Sequence, residues 1–180
     1  MRKTSSILIA GFGGQGVLFA GKFLAYKGIL EDKNVSWLPS YGPEMRGGTA
    51  NCSVIISENA VGSPIVDKPD ILIAMNLPSL DKYEDTVVPG GIIFADSTLI
   101  ERKVKRNDVS VYYIPATKMA SDEGLNGLAN MIMIGYVIKK SGIIPFENID
   151  RALQKVVPAS KQHLLDSNRK ALELGFNYAE

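Results

Sequence analysis

The stretch that decides the fold is Ile7-Leu8-Ile9-Ala10, followed by Gly11-Phe12-Gly13-Gly14-Gln15-Gly16 and the run from Val17 to Tyr26. Ser6 to Ala10 is almost continuously apolar, as a strand covered on both faces must be. After the glycines, Val17, Leu18, Ala20, Leu24 and Ala25 recur at helical spacing. A strand, a glycine turn and a helix in that order point backbone N–H groups and a helix N-terminus at one spot. Such a spot favours an anion, typically a phosphate.

Outward from this unit, the helix is expected to end near Gly28, with Asn34 to Leu38 as the second strand. A strand–helix–strand unit of this kind is nearly always right-handed and parallel. Pro39 to Gly48 holds two prolines and three glycines, which excludes helix or strand through most of it. It reads as a shaped loop carrying Tyr41, Glu44 and Arg46, at the end of a strand where open α/β sheets place their ligands. Further strands are expected at Thr49–Ser57, at Asp70–Met75, at Ile92–Asp96 after the Pro89-Gly90-Gly91 turn, and at Val109–Ile114, with Ile65-Val66 as a short edge piece. A short helix follows Asn76-Leu77-Pro78 to about Tyr83. From Ala116 the chain turns helical. Leu125–Ile138 is apolar on nearly every side, which calls for burial by several neighbours or by a partner. Lys139 and Lys140 suit its last turn and Gly142 its end. Pro145 opens the next helix, which runs to Pro158, and Ser160–Leu174 forms the last, ended by Gly175. The expectation is one α/β domain over residues 1–180: a Rossmann-like open, mostly parallel sheet with flanking helices and C-terminal helices.

Composition narrows the function. With 46% hydrophobic and 22% charged residues the chain is of the soluble globular class. Twenty basic against nineteen acidic residues leave a net charge of +1, which gives no electrostatic bias toward nucleic acid or an anionic membrane. Cys52 and His163 are the single cysteine and histidine. Neither an iron–sulfur cluster nor a Cys₄ zinc site can be built from one thiolate, so no metal site is expected. The apolar run after Arg2 and Lys3 is too short for a signal peptide, and no window is long enough to span a bilayer, so the expected location is cytoplasmic.

Gly11, Gly13 and Gly16 satisfy Gly-x-Gly-x-x-Gly in the right strand–helix context. A dinucleotide site also needs an acid at the end of the second strand for the ribose hydroxyls. That strand ends Trp37-Leu38-Pro39-Ser40, and the nearest acids, Glu31 and Asp32, precede it. Gly16 to Lys22 has the spacing of a phosphate-binding loop, but Phe23 stands where a Mg²⁺-binding Ser or Thr belongs, and the segment is better explained as helix. Two readings of the glycines stay open: a site for a phosphate-bearing group, or a tight turn that binds nothing.

The pairing of Gly11–Gly16 with Tyr41-Gly42-Pro43-Glu44-Met45-Arg46-Gly47-Gly48 resembles the gamma subunit, or gamma domain, of the 2-oxoacid:ferredoxin oxidoreductases. That family acts on pyruvate, 2-oxoglutarate, branched-chain 2-oxoacids and indolepyruvate. The resemblance continues through Thr49–Val54, the Asp70–Asn76 strand with Pro78 and the Gly90-Gly91 turn, to the segment holding Asn126 and Met131. The C-terminal helices match in character only.

The resemblance implies CoA-dependent oxidative decarboxylation of a 2-oxoacid to acyl-CoA and CO₂ with reduction of ferredoxin. It implies thiamine diphosphate and iron–sulfur clusters on partner alpha, beta and ferredoxin-like delta subunits. Coenzyme A is then the ligand for a crevice formed by Gly11, Gly13, Gly14, Gln15, Gly16, Tyr41, Glu44 and Arg46. Its phosphates need a glycine loop but no ribose-reading acid.

From the residues alone, Arg46 offers a forked donor to a phosphate or carboxylate, or else pairs with Glu44 inside the loop. Asn76 and Asp96 at strand ends are expected to cap the turns that follow. Cys52 is expected to be a small buried apolar residue and His163 a surface or packing residue. No nucleophile–base pair emerges, so the chain alone is not expected to be catalytic. The alternatives are a stand-alone NAD(P)-binding reductase and a ligand-free scaffold subunit. Surface meant for partners also allows the isolated chain to self-associate.

Overall fold

A computed structural model of the chain describes residues 3–40 and 49–179. The strands are β1 (Thr4–Phe12), β2 (Asn34–Ser40), β3 (Thr49–Ser57), β4 (Ile71–Ala74), β5 (Ile92–Asp96) and β6 (Ser110–Ile114). They form one sheet in the order β2-β3-β1-β4-β5-β6. β1, β4, β5 and β6 run parallel. β3 runs against both of its neighbours, β1 and β2. β1 and β2 therefore point the same way, as expected of a strand–helix–strand unit, but β3 lies between them. The eight residues joining β2 to β3 are too few for a crossover, which takes a dozen or more, so β3 returns antiparallel. Ile65-Val66 adds no strand. Pro64 and Pro69 bracket it and withhold ladder donors, and Ile65 is 63% exposed.

Each central strand buries both faces. Ile7, Ile9, Val54, Ile56, Ile71, Ile73 and Phe94 point to one side, while Leu8, Leu72, Ala74, Ile93 and Ala95 point to the other. The first side is covered by α1 (Val17–Leu30), α3 (Ala116–Asp122), α4 (Ala129–Ser141), α5 (Ile149–Val156) and α6 (Leu165–Phe176). The second is covered by α2 (Leu77–Tyr83) through Leu80, with Val87 and Ile100 from the loops. Glu84 accepts from Lys105 N (2.5 Å) and from Arg102 Nη2 (2.5 Å), and Arg102 also reaches Asp81, so this side is pinned by charge-assisted bonds.

Several helix ends differ from expectation for identifiable reasons. α1 continues past Gly28 to Leu30, because a Cβ at Gly28 would come within 2.9 Å of Val35 Cγ2. That glycine serves closeness to β2, and the chain turns out instead at Asp32 (φ 55°). α4 starts at Ala129 and not at Leu125, since Gly124 and Gly127 hold left-handed backbone and Leu125–Leu128 is a turn closed by Leu128 N to Leu125 O (3.0 Å). Its all-round apolar surface is covered by the chain's own sheet and by α3 and α6: Met131 to Ile134 and Tyr136 to Ile138 are at most 2% exposed.

Gly142 (φ 62°) does end α4. α5 starts at Ile149 and not at Pro145, behind Asn148 at φ 60°. The last helix divides into a 3₁₀ segment, Ala159–Leu164, and α6, and Gly175 lies inside α6. A Cβ on Gly175 would run into Ile132 O, and one on Gly135 into Leu172 O. The two glycines let α4 and α6 cross backbone to backbone. Among the described residues no helix is long and apolar enough to cross a membrane.

Candidate functional site

β1 runs two residues further than the sequence suggests, through Gly11 opposite Ala50 and Phe12 opposite Thr49. The chain then turns, with Gln15 N donating to Phe12 O (3.1 Å), and enters α1 with Gly16 as its N-cap. Gly14 (φ 97°) and Gly16 (φ 71°) hold conformations that side chains disfavour. Gly11 stays in the strand, where a Cβ would meet Gln15 Oε1 at 2.7 Å and Val17 Cγ1 at 2.9 Å. Gly13 and Gly14 are exposed. Lys22 lies inside α1, so Val17 to Lys22 is helix, as expected, and no phosphate loop.

Gln15 ties the turn to the sheet. Its Oε1 accepts from Phe12 N (2.6 Å) and Asn76 Nδ2 (3.0 Å), and its Nε2 donates to Met75 O (3.0 Å). Asn76 in turn accepts from Ser79 N (2.9 Å) and caps α2, the role expected of it. Gln15 thus joins the ends of β1 and β4, from which the chain departs to opposite faces of the sheet. In open α/β sheets this switch point is where ligands bind. Much of the hydrogen-bonding capacity of Gln15 goes to shaping the site.

Two cavities flank the turn. One, of about 250 Å³, is lined by Gly14, Gln15, Met75, Thr117, Asn126 and Gly127. The other, of about 260 Å³, lies beyond Gly16 and is lined by Phe19, Gly127, Asn130, Lys161 and Asn168 among others. Asp96, at the end of β5, is fully buried. It accepts from Thr98 N (3.0 Å) and from Thr117 N (3.0 Å) and Oγ1 (2.6 Å), so it caps the next turn and also fixes the start of α3. Asn130 Nδ2 donates to Gly16 O (2.9 Å) and holds α4 against the turn.

Tyr41, Glu44 and Arg46 lie outside the described residues. On either side of them, Ser40 pairs with Asn51 and Thr49 with Phe12, so β2 ends and β3 begins at the end of the sheet that carries the glycine turn. Cys52 is buried, with its thiol 3.3 Å from Val17 O, and burial pushes its pKa up to about 12. A thiol so poor in thiolate is no nucleophile. His163 is exposed on the 3₁₀ segment. Sequence reasoning does not single out Asn130, Asn168 or Thr117. For Asn130 a signal exists, since it is a polar residue in an otherwise apolar run.

The sequence matches the pyruvate ferredoxin/flavodoxin oxidoreductase family over residues 6–178, and the chain belongs to that family. It is 42% identical over 173 residues to ketoisovalerate oxidoreductase subunit VorA of Methanothermobacter thermautotrophicus, covering 96% of this chain and 36% of VorA. The chain therefore spans about a third of the length of that relative. It is 36% identical over 183 residues to 2-oxoglutarate synthase subunit KorC of Methanocaldococcus jannaschii, covering 100% of this chain and 95% of KorC.

Among solved structures, the gamma subunit of a keto/oxoacid ferredoxin oxidoreductase from Geobacter sulfurreducens superposes with a TM-score of 0.81 at 29% identity, covering 96% of each chain. The 2-oxoglutarate:ferredoxin oxidoreductase from Magnetococcus marinus, with 2-oxoglutarate, coenzyme A and succinyl-CoA bound, superposes with a TM-score of 0.86 over 98% of this chain and 31% of that one. At 23% identity that second likeness is one of fold.

Proposed function

We propose that the chain is the gamma subunit of a 2-oxoacid:ferredoxin oxidoreductase and helps to hold coenzyme A at the glycine turn. The complex would convert a 2-oxoacid and coenzyme A to acyl-CoA and CO₂ and pass the two electrons released to ferredoxin. Thiamine diphosphate and iron–sulfur clusters would sit on alpha, beta and ferredoxin-like delta partners, and the assembly would work in the cytoplasm.

The observation that carries the reading is the glycine turn at the switch point, open at Gly13 and Gly14 and flanked by two cavities. The coenzyme A bound in the Magnetococcus marinus enzyme supports that choice of ligand class. The inserted β3 also argues against a dinucleotide. It sets the end of β2 two strand spacings, about 10 Å, from β1, too far for a ribose-reading group of the usual kind.

Native purification followed by mass measurement of the intact complex tests the proposal, together with ferredoxin reduction driven in turn by pyruvate, 2-oxoglutarate and 3-methyl-2-oxobutanoate. A chain that runs without thiamine-diphosphate and iron–sulfur partners ends it. Calorimetry with coenzyme A on the complex and on its Arg46→Ala variant tests the loop: a loss of tenfold or more is expected, and unchanged affinity removes Arg46 from the site.

A further inference from the structure

Asn130 is the one amide side chain in the buried stretch of α4, 3% exposed and followed at once by Met131 to Ile134. Its Nδ2 donates to Gly16 O (2.9 Å), and a flipped amide would set oxygen against oxygen, so its orientation is fixed. Its Oδ1 is sealed from water and finds no hydrogen-bond partner among the described residues. Buried acceptors are satisfied in the great majority of native structures, and each exception asks for an explanation. Leucine has nearly the same shape and would fill the place without stranding an acceptor. Folding therefore gives asparagine little advantage here, and the reason for it lies in what the amide holds.

Gly16 is the N-cap of α1, and its carbonyl also accepts from Ala20 N (3.0 Å). The peptide group is planar, so a carbonyl held in place also holds the N–H of the next residue, Val17, pointing the opposite way, out of the helix end. That N–H is among those a helix leaves without an internal partner, the kind that faces an anion. Left to itself the Gly16 plane would swing, since glycine has the most backbone freedom of any residue. Gly16 also leaves the room the amide needs, because a Cβ there would lie 2.5 Å from Asn130 Nδ2. Asn130 follows closely on Gly127, which lines both cavities, so the same bond sets the spacing between the glycine turn and that wall. We infer that Asn130 is a positioning residue, which acts from α4 through the Gly16 carbonyl to keep the donors of the glycine turn set for an anionic ligand. The inference rests on the reading that coenzyme A is held at that turn. A turn fixed before binding spares the ligand the cost of ordering it, and that saving appears as affinity.

Ferredoxin reduction by the assembled complex, with the 2-oxoacid and coenzyme A varied in turn, tests the role beside urea unfolding. Asn130→Leu is expected to raise the KM for coenzyme A fivefold or more. The kcat and the KM for the 2-oxoacid should stay within twofold of wild type, and the unfolding midpoint should lie at or above it. Asn130→Ala removes the same donor without refilling the space and should raise the KM for coenzyme A alike. In the Gly14→Asn background, where the turn is already obstructed, Asn130→Leu should add less than twofold. An unchanged KM for coenzyme A in both Asn130 variants overturns the positioning role. So does a rise in KM for both substrates together with a lower midpoint, which marks a residue of general structure. Either result leaves the glycine-turn reading intact, and that reading falls if Gly14→Asn by itself leaves coenzyme A binding unchanged.

Discussion

Gly14 and Gly16 in the turn, and Gly135 and Gly175 in the crossing of α4 and α6, use the same residue for opposite ends. In the turn the demand is conformational: φ is 97° and 71°, and nothing lies within 4 Å of where a Cβ on Gly14 would stand. In the crossing both residues are in ordinary helix, and the demand is distance, because each missing Cβ is replaced by the partner helix's carbonyl. A glycine needed only for packing has its space filled. The space over Gly14 is open and faces a cavity, which is what a ligand-binding turn requires and a packing turn does not.

The crossing should be the most sensitive point. Gly175→Ala drives a methyl into the Ile132 carbonyl of a rigid helix, and the expected cost is more than about 3 kcal/mol, beyond the usual range for a modest overpacking. Urea unfolding reads it, and a midpoint within error of wild type would show that the two helices can part freely. Gly16→Ala should come next, at about 2–3 kcal/mol: about 1–2 for the left-handed backbone and about 1 for pushing away Asn130, whose Nδ2 lies 2.5 Å from where the new Cβ would stand. Gln15→Leu strips a hydrogen bond from Phe12 N, Asn76 Nδ2 and Met75 O in a partly exposed setting, and about 1–2 kcal/mol is expected.

The same contrast explains what is legible in advance. Strand and helix identities follow from local apolar runs, and the six strands stand where their patterns place them, with β1 running longer. β2 runs on through Pro39 and Ser40, where the prolines and glycines suggest a loop. Gly28 and Gly175 read as helix stops and are not, because a stop and a close approach leave the same letter in the sequence. Only the partner, Val35 in one case and Ile132 in the other, tells them apart. Gly142 shows the stop proper. The insertion of β3 between β1 and β2 likewise depends on pairing across the sheet and leaves no local mark beyond the shortness of the link. At the site, the turn is legible as a motif. The anchoring by Gln15 to Asn76 spans sixty-one residues and is not.

Cys52 packs beneath α1 and offers a pH test of how tightly that layer closes. Its pKa of about 12 in the folded chain lies above the ordinary thiol value, so between roughly pH 9 and 12 the folded state keeps a proton that the unfolded state releases. Fewer protons on the unfolded state mean stability falls as pH rises through that window and is fully present below it. Cys52→Ala should cost about 1 kcal/mol at neutral pH, and the difference from wild type should narrow above pH 9 in paired thermal melts. A native thiol that reacts with a maleimide at pH 8 without unfolding would show the layer to be open.

A modest effect on stability is expected where the largest effect on binding belongs. Gly14→Ala meets no neighbour and costs only backbone strain, about 1–2 kcal/mol, while Gly14→Asn, whose side chain tolerates left-handed backbone, should cost less still. Both place atoms where the phosphates of coenzyme A would lie, so affinity measured on the complex should fall tenfold or more. Gly142→Asn is the control, a left-handed glycine with open space that ends α4 far from the turn. It should show a like change in stability and none in binding. If the two asparagine variants behave alike in both measurements, the open space over Gly14 has no ligand to serve, and the turn belongs with the crossing as a device of packing.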